Sequence, residues 1–457
     1  MRESGNIALL VTVKMNRMVL KTFWLSLCLG LAIGSACAQE AWQRAHDAGN
    51  KAAKEARFAD AERLFLQSVQ EARRLSNLSP LLARSLLDLP EVYRTEGKYA
   101  EAQPCYEEAL KVDSQRHGPD SLEMAEALDR QAELFKTLAD YSHAEPALQR
   151  SLDIRLKQLQ TESLPVAQSQ NDLGELHTVL GSYERAGPLL QSALSTRQKL
   201  LGPEHKDVAE TLEALGNLSK KTGKNADAEQ LFRQAVSIYG KTVGGEHPDY
   251  ANAMEGLALF YCERRQYELA DPLLERVLDI RERTFGLDHH DVAVSLDNIA
   301  LAKLQQHQFQ QSATFYERAI KIWEKILGSE SPDLSTDLSN LAAAYEGMGN
   351  TKAAEPLLVR SLSNDEKGLP PDSADTASDR QNLAMLYFMT RRPEQAVPLY
   401  QRALDTRTKV LGPDDPDTLI TMKDYAIALR LLGRNTEARD LEIKIKASET
   451  RGKAGSN

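Results

Sequence analysis

Apolar residues recur along most of the chain at helical spacing, in short blocks separated by small and turn-forming residues. Leu338, Leu341, Ala342 and Tyr345 make one such stripe, and Leu383, Ala384 and Tyr387 another. A second kind of stripe follows, as in Tyr106-Ala109-Leu110, Leu190-Ala193-Leu194, Phe232-Ala235-Val236 and Tyr400-Ala403-Leu404. Runs of β-branched residues, which strands favour, are scarce. The pattern predicts an all-α chain of short amphipathic helices taken two at a time. Gly97, Gly181, Gly223, Gly349 and Gly433 lie between the two stripes, where glycine suits the left-handed residue that ends a helix. Pro104, Pro146, Pro188, Pro272, Pro356 and Pro398 are expected early in the second helix, within the first turn or so, where a missing N–H costs least. Ser79-Pro80, His247-Pro248, Ser331-Pro332 and Asp415-Pro416 read as a capping residue followed by the first residue of a helix.

The pairs repeat. One small residue falls at Ala61, Ala102, Ala144, Ala186, Ala228, Ala270, Ser312, Ala354, Ala396 and Ala438. The first interval is 41 residues and the other eight are 42. Two helices of a hairpin approach closely only where a side chain is small, and an aromatic three residues earlier covers the end of the hairpin. One hairpin cannot bury its own apolar face, but stacked copies can. Residues 41–445 are therefore expected to form an α-solenoid of about ten helix-turn-helix units, the first helix of each inside and the second outside. The first unit lacks the proline, and the last carries Glu442 where its neighbours place Tyr or Leu, as suits capping units. The polar tail 446–457 is expected to be disordered.

The stretch Asn382-Leu-Ala-Met-Leu-Tyr387, Ala396-Val-Pro-Leu-Tyr-Gln-Arg-Ala-Leu404 and Leu411-Gly-Pro-Asp-Asp-Pro-Asp417 resembles the tetratricopeptide repeat (TPR) of the 42-residue kinesin-light-chain type. The resemblance implies a right-handed superhelix and a protein or peptide partner bound in its concave groove. It implies no catalytic activity and no cofactor.

Composition changes this picture little. The 457 residues are 42% hydrophobic, 27% charged and only 6% aromatic, as expected of a folded helical chain. The N-terminus adds an address. Lys14, Arg17 and Lys21 precede the apolar run Phe23 to Gly34, and Ala36-Cys37-Ala38 follows as a small-x-small site. Residues 1–38 thus read as a secretory signal peptide, which implies an exported protein of bacterial type, periplasmic or secreted. The run is too short for the ~20 residues of a membrane span. Acylation of Cys37, as in a lipoprotein, is the minor alternative, because the leucine expected three residues earlier is missing. The net charge is −10, so nucleic acid and anionic lipid are poor partners. Cys105 and Cys262 lie far apart inside helices and read as small apolar residues rather than a disulfide.

By the same resemblance, the position fourteen residues before each small residue faces the groove. It holds Asp88, Arg130, Asp172, Ala214, Gly256, Asn298, Asn340, Asn382 and Asp424. An asparagine there has both a donor and an acceptor for a peptide backbone. Asn298, Asn340 and Asn382 form a ladder, with Asp172 and Asp424 as further candidates. The alternative is that these are solvated residues touching the next repeat. One residue earlier, Asp129, Asn171, Glu213, Glu255 and Asp297 form a largely acidic stripe, read as a hydrated surface before a site for a basic peptide. His205, His247 and His289 also repeat, but equivalent loops stand ~10 Å apart and zinc needs its ligands within ~2 Å. They read as loop or cap residues, and no metal is expected. No phosphate loop, HExxH or GxSxG occurs, which leaves nothing to carry catalysis. The alternative functions are a secreted effector acting on host or neighbouring-cell proteins and, last, an accessory subunit of an enzyme.

Overall fold

The computed structural model of the chain describes residues 36–55, 57–95 and 97–454. Most of the proposed signal, residues 1–35, lies outside them, as do residues 455–457. Among the described residues there are twenty α-helices, one 3₁₀ turn and no strand. They divide into two compact units, the first ending at Leu231 and the second starting at Phe232.

The first unit contains α1 (36–54), α2 (Phe58–Leu75), α3 (Pro80–Thr95), α4 (Tyr99–His117), α5 (Leu122–Thr137), α6 (Tyr141–Gln158), α7 (Leu164–Val179), α8 (Tyr183–Leu201) and α9 (Lys206–Lys221). The boundary falls inside α10 (Asn225–Thr242). The second unit contains α11 (Pro248–Glu263), α12 (Tyr267–Phe285), α13 (His290–Gln305) and α14 (Phe309–Leu327). The 3₁₀ turn Pro332–Leu334 then leads into α15 (Ser335–Gly347), α16 (Thr351–Gly368), α17 (Ala374–Met389), α18 (Pro393–Val410), α19 (Pro416–Leu431) and α20 (Asn435–Ala454). Odd-numbered helices are the first of each pair and even-numbered helices the second. The chain is the all-α array of consecutive helix pairs expected of a solenoid.

Each small residue of the repeat is fully buried, at 0% exposure from Ala61 through Ala438. Ser312 is no exception, because its hydroxyl donates back to the Ala300 carbonyl (2.8 Å). Around these contacts the core runs from pair to pair. Tyr106 and Ala109 of α4 join Leu86 and Leu89 of α3 and Ala127 and Leu134 of α5. Tyr400 of α18 joins Ala384 of α17 and Tyr425 of α19 in the same way.

The turns are more uniform than the sequence. Gly97, Gly181, Gly223, Gly349 and Gly433 have φ between +71° and +76°. The equivalent Ala139, Arg265, His307 and Arg391 adopt the same left-handed conformation at φ +54° to +59°, although they carry a Cβ. Two residues later the second helix begins, at the aromatic itself in Tyr99, Tyr141, Tyr183, Tyr267 and Phe309. The helix starts three residues before the small residue, so the recurring proline is its sixth residue, in the second turn and a little later than expected. Its missing N–H leaves the carbonyl four residues earlier unbonded within the helix. Pro146 and Ser142 are both exposed, so water can serve that carbonyl.

The caps follow the sequence. The imidazole Nδ1 atoms of His205, His247 and His289 accept from the backbone N–H of Asp207 (3.2 Å), Asp249 (3.1 Å) and Asp291 (3.2 Å). Ser331 caps the 3₁₀ turn and Asp415 caps α19 likewise, at 3.2 Å and 2.9 Å. The expected disordered tail is corrected in part. The last helix continues to Ala454, with Ser448 buried and Arg451 paired to Asp414 at 2.6 Å. Glu442 is paired with Arg430 at 2.7 Å on the exposed side of this last pair.

Two stability outcomes follow from this packing. Ala186→Leu should lower the urea midpoint, by the ~1–3 kcal/mol of an overpacked core. Ala139→Gly should raise it by roughly 1 kcal/mol through relief of the left-handed strain.

Candidate interaction face and the arginine stitch

The candidate row lies on the first helix of successive pairs, but its members differ in what they touch. In the first unit Asp88 is held by His46 (2.8 Å) and Arg130 (3.0 Å), and Arg130 also pairs with Glu126 (3.0 Å). Burial would raise the Asp88 carboxyl, yet these two partners hold it below the usual carboxylate range. Asp172 has the opposite setting. Burial first, then the Glu175, Asp129 and Glu210 carboxylates, push it up to about 8. Only the Gln168 amide donates to it, at 2.8 Å. Burial and these like charges thus favour the protonated form of Asp172.

In the second unit Asn298 donates to Glu255 at 2.9 Å, and Asn340 hydrogen-bonds the Tyr316 hydroxyl. Both are half-buried. Asn382 is exposed and makes no side-chain hydrogen bond among the described residues. Asp424 accepts from Gln381 at 3.1 Å, and burial raises its carboxyl. The three asparagines thus stand in register while only Asn382 offers a free amide. Next to it the face is apolar. Met389 lies on the same side of α17, two turns on, and is 57% exposed. On α19, Ile420, Ile427 and Leu431 flank Asp424 at 49%, 51% and 62% exposure.

The acidic stripe is not a hydrated surface. Two of its members, Asp129 and Glu255, belong to a buried network whose arginines the acidic pattern did not point to, while Asn171 bonds Glu175 and Asp297 accepts from Trp323. Arg155, Arg197, Arg281 and Arg407 occupy one position of the repeat, on the second helix. Arg281, 5% exposed, reaches Glu255 (2.7 and 2.8 Å) and Asn252 (2.8 Å) on its own α11 and Ser295 (2.7 Å) on the following α13. Arg197 reaches Gln168 on α7, then Thr211 (2.7 Å) and the Asp207 carbonyl (2.7 Å) on α9. Arg407 joins Ser378 (3.0 Å) and Gln381 on α17 to Thr421 (2.6 Å) on α19. Arg155 joins Asp129 (2.6 Å) on α5 to Ser169 on α7. A guanidinium has five fixed donors and no acceptor, so one side chain can satisfy two neighbouring helices at once. The signal was in the sequence: wherever this arginine occurs, Ser or Thr stands fourteen residues later.

The tetratricopeptide-repeat profile matches residues 87–157, 165–241, 249–325, 297–367 and 372–444, more than half of the chain. The chain belongs to the tetratricopeptide-repeat family. Among solved structures, this TPR chain is similar to the nearly identical TPR-like repeats of a kinesin-light-chain protein from Podosopora anserina. That match has 26% identity and a TM-score of 0.41, over 45% of this chain and 98% of that one. It is also similar to BtubC (BKLC) from P. vanneervenii, at 21% identity, over 53% of this chain and 92% of that one, with a TM-score of 0.43. A signal-transduction ATPase with a tetratricopeptide-repeat sensor from Pyrococcus horikoshii matches at 11% identity, over 77% of this chain and 53% of that one, with a TM-score of 0.50. No curated protein sequence matches it.

Among the described residues no helix is long and apolar enough to cross a membrane, and no three His, Cys, Asp or Glu side chains gather as a metal would require. Cys105 and Cys262 are free thiols, half-buried, and burial pushes both up to about 11. Neither is a thiolate at neutral pH.

The stitch has a direct test. Arg281→Met leaves Glu255 buried without its cation and should cost roughly 3 kcal/mol. The loss should appear as faster amide exchange in α11 to α13 and unchanged exchange in α3 and α4.

Proposed function

We propose that this chain is a scaffold that binds a protein segment on the first-helix face of its second unit and carries out no chemistry itself. Family membership supports the general role, since stacked TPR pairs present extended surfaces to other proteins. The specific face rests on one observation: Asn382 is an exposed amide with no side-chain hydrogen bond among the described residues, on a face that also exposes Met389, Ile420, Ile427 and Leu431. An amide amid apolar side chains can pair with a peptide backbone while its neighbours take up side chains. Apolar exposure of this kind, gathered on one face, marks interaction sites. Asn340 and Asn298 extend the row, and would join a partner by exchanging Tyr316 and Glu255 for it. The site of action proposed is the periplasm or the exterior, on the strength of the signal-like residues 1–38 and their Ala36-Cys37-Ala38 site.

The test is affinity capture from an envelope fraction, with wild type and Asn298→Ala/Asn340→Ala/Asn382→Ala as parallel baits. A partner captured by the wild type should be at least ~10-fold depleted on the variant, the loss of about 1.4 kcal/mol. Asn382→Ala alone should account for most of the effect. Equal capture by a folded triple variant would remove this face from consideration.

A further inference from the structure

The stitch arginine gives way to Asp113 and Tyr239 at two isolated positions, each with alanine fourteen residues later, and it is absent again at two consecutive junctions of the second unit. Its position is taken by Trp323 on α14 and by Asp365 on α16. In both cases the residue fourteen later is neither Ser nor Thr but a second acid, Asp337 and Asp379. At the first junction Trp323 donates its indole N–H to Asp297 Oδ2 (2.8 Å), while the buried Oδ1 has no partner. The Asp337 carboxylate faces Asp297 from α15, and both bear on the Tyr316 hydroxyl of α14. His290 packs edge-on against Trp323 at 4.9 Å and pairs with Asp291. At the second junction Asp365 is 1% exposed and neither carboxyl oxygen has a hydrogen-bond partner. The nearby Ser335 gives its proton to the Ser361 carbonyl (3.2 Å) instead, and the charges facing Asp365 are Asp333 and Asp375. Asp379 receives Ser339 (3.1 Å) and Ser361, with Asp365 and Asp375 beside it. Lys321 and Lys352 are exposed, and the other cations of these helices pair elsewhere. Arg318 pairs with Glu282, Arg360 with Glu324, Lys367 with Glu330 and Arg380 with Glu366.

We propose that the segment α13 to α17 is a proton-dependent weak point of the array, in which carboxyl protons replace the guanidinium found at four other junctions, so that the segment is tight in acid and loosens as pH rises. Two carboxylates cannot both ionise in such a place without a counter-charge. Burial and the neighbouring acid hold Asp297 above the usual range, and burial raises Asp337, so the two titrate as a pair. Asp379 is pushed up to about 6, chiefly by burial, and Asp365 is raised for the same reason. The direction of the pH effect follows. An unfolded carboxyl loses its proton near pH 4, whereas these folded ones keep theirs to higher pH. Between those limits the folded segment binds more protons than the open one, and stability falls as pH rises. The candidate row runs along the same helices, but the proposal concerns their stability and stands whether or not that row binds a partner.

Hydrogen exchange of the full chain, expressed as protection relative to the unstructured rate at each pH, reads this directly. Protection in α13 to α17 should fall at least ~10-fold between about pH 5 and about pH 9. Protection in α11 and α12, where Glu255 has Arg281 as its cation, should not fall. Asp297→Asn/Asp337→Asn and Asp365→Asn/Asp379→Asn should each flatten the fall at their own junction. Should an asparagine variant fail to fold, Asp365→Arg/Asp379→Thr rebuilds the stitch seen at Arg407 and Thr421, and should hold protection at alkaline pH. Constant protection in the wild type, or an undiminished fall in the folded variants or the rebuilt stitch, would overturn the proposal.

Discussion

The whole array depends on one steric allowance, the approach of two helices at a side chain no larger than serine. At that crossing there is no room for a Cβ substituent beyond a methyl or a bonded hydroxyl, which is why every such residue is fully buried. Fixing the crossing fixes the turn. The chain must reverse within two residues, so it takes the left-handed conformation whether or not glycine is available. Ala139, Arg265, His307 and Arg391 bear that strain because the packing on either side over-determines it.

Close packing within a pair leaves open how pairs are joined. Apolar contact supplies most of that joint, but it is tolerant of small slips. The buried arginines are not tolerant. Each has acceptors on both flanking first helices, and a shift of a fraction of a turn would leave a desolvated cation unsatisfied. They therefore set register more than they add net stability, since a buried ion pair repays little beyond its own desolvation. Where Trp323 and Asp365 replace the arginine, register is left to packing and to protonated carboxyls. The array is thus not uniform along its length, and its second unit contains both the exposed Asn382 amide and two junctions at which acids face one another.

Much of this was legible in the sequence, and the omissions have physical causes. Ala186 and its equivalents could be read because a steric requirement repeats whatever surrounds it. The role of His205, His247 and His289 as caps could be read because a cap depends only on residues within one turn. Proline was placed too early because the start of a helix depends on where the preceding one stops, and the left-handed residue fixes that. The acidic stripe was misread because Asp129 and Glu255 find their partners on another helix, 26 residues away. Asn298 and Asn340 looked identical to Asn382, yet their partners Glu255 and Tyr316 come from neighbouring helices that one column of the repeat does not display. The end of the last helix was misjudged for a similar reason, as the Arg451 to Asp414 pair lies 37 residues apart in the chain.

The claim that the first-helix face of the second unit is the working surface is tested most directly by site-specific photocrosslinking in cells that make the protein. A photoreactive residue would replace Met389 on that face in one version and Val359, 45% exposed on α16, in another. A discrete crosslinked species from position 389 and none from 359 is the predicted result. Crosslinking from 359 with none from 389 would contradict the account and move the working surface to the second helices.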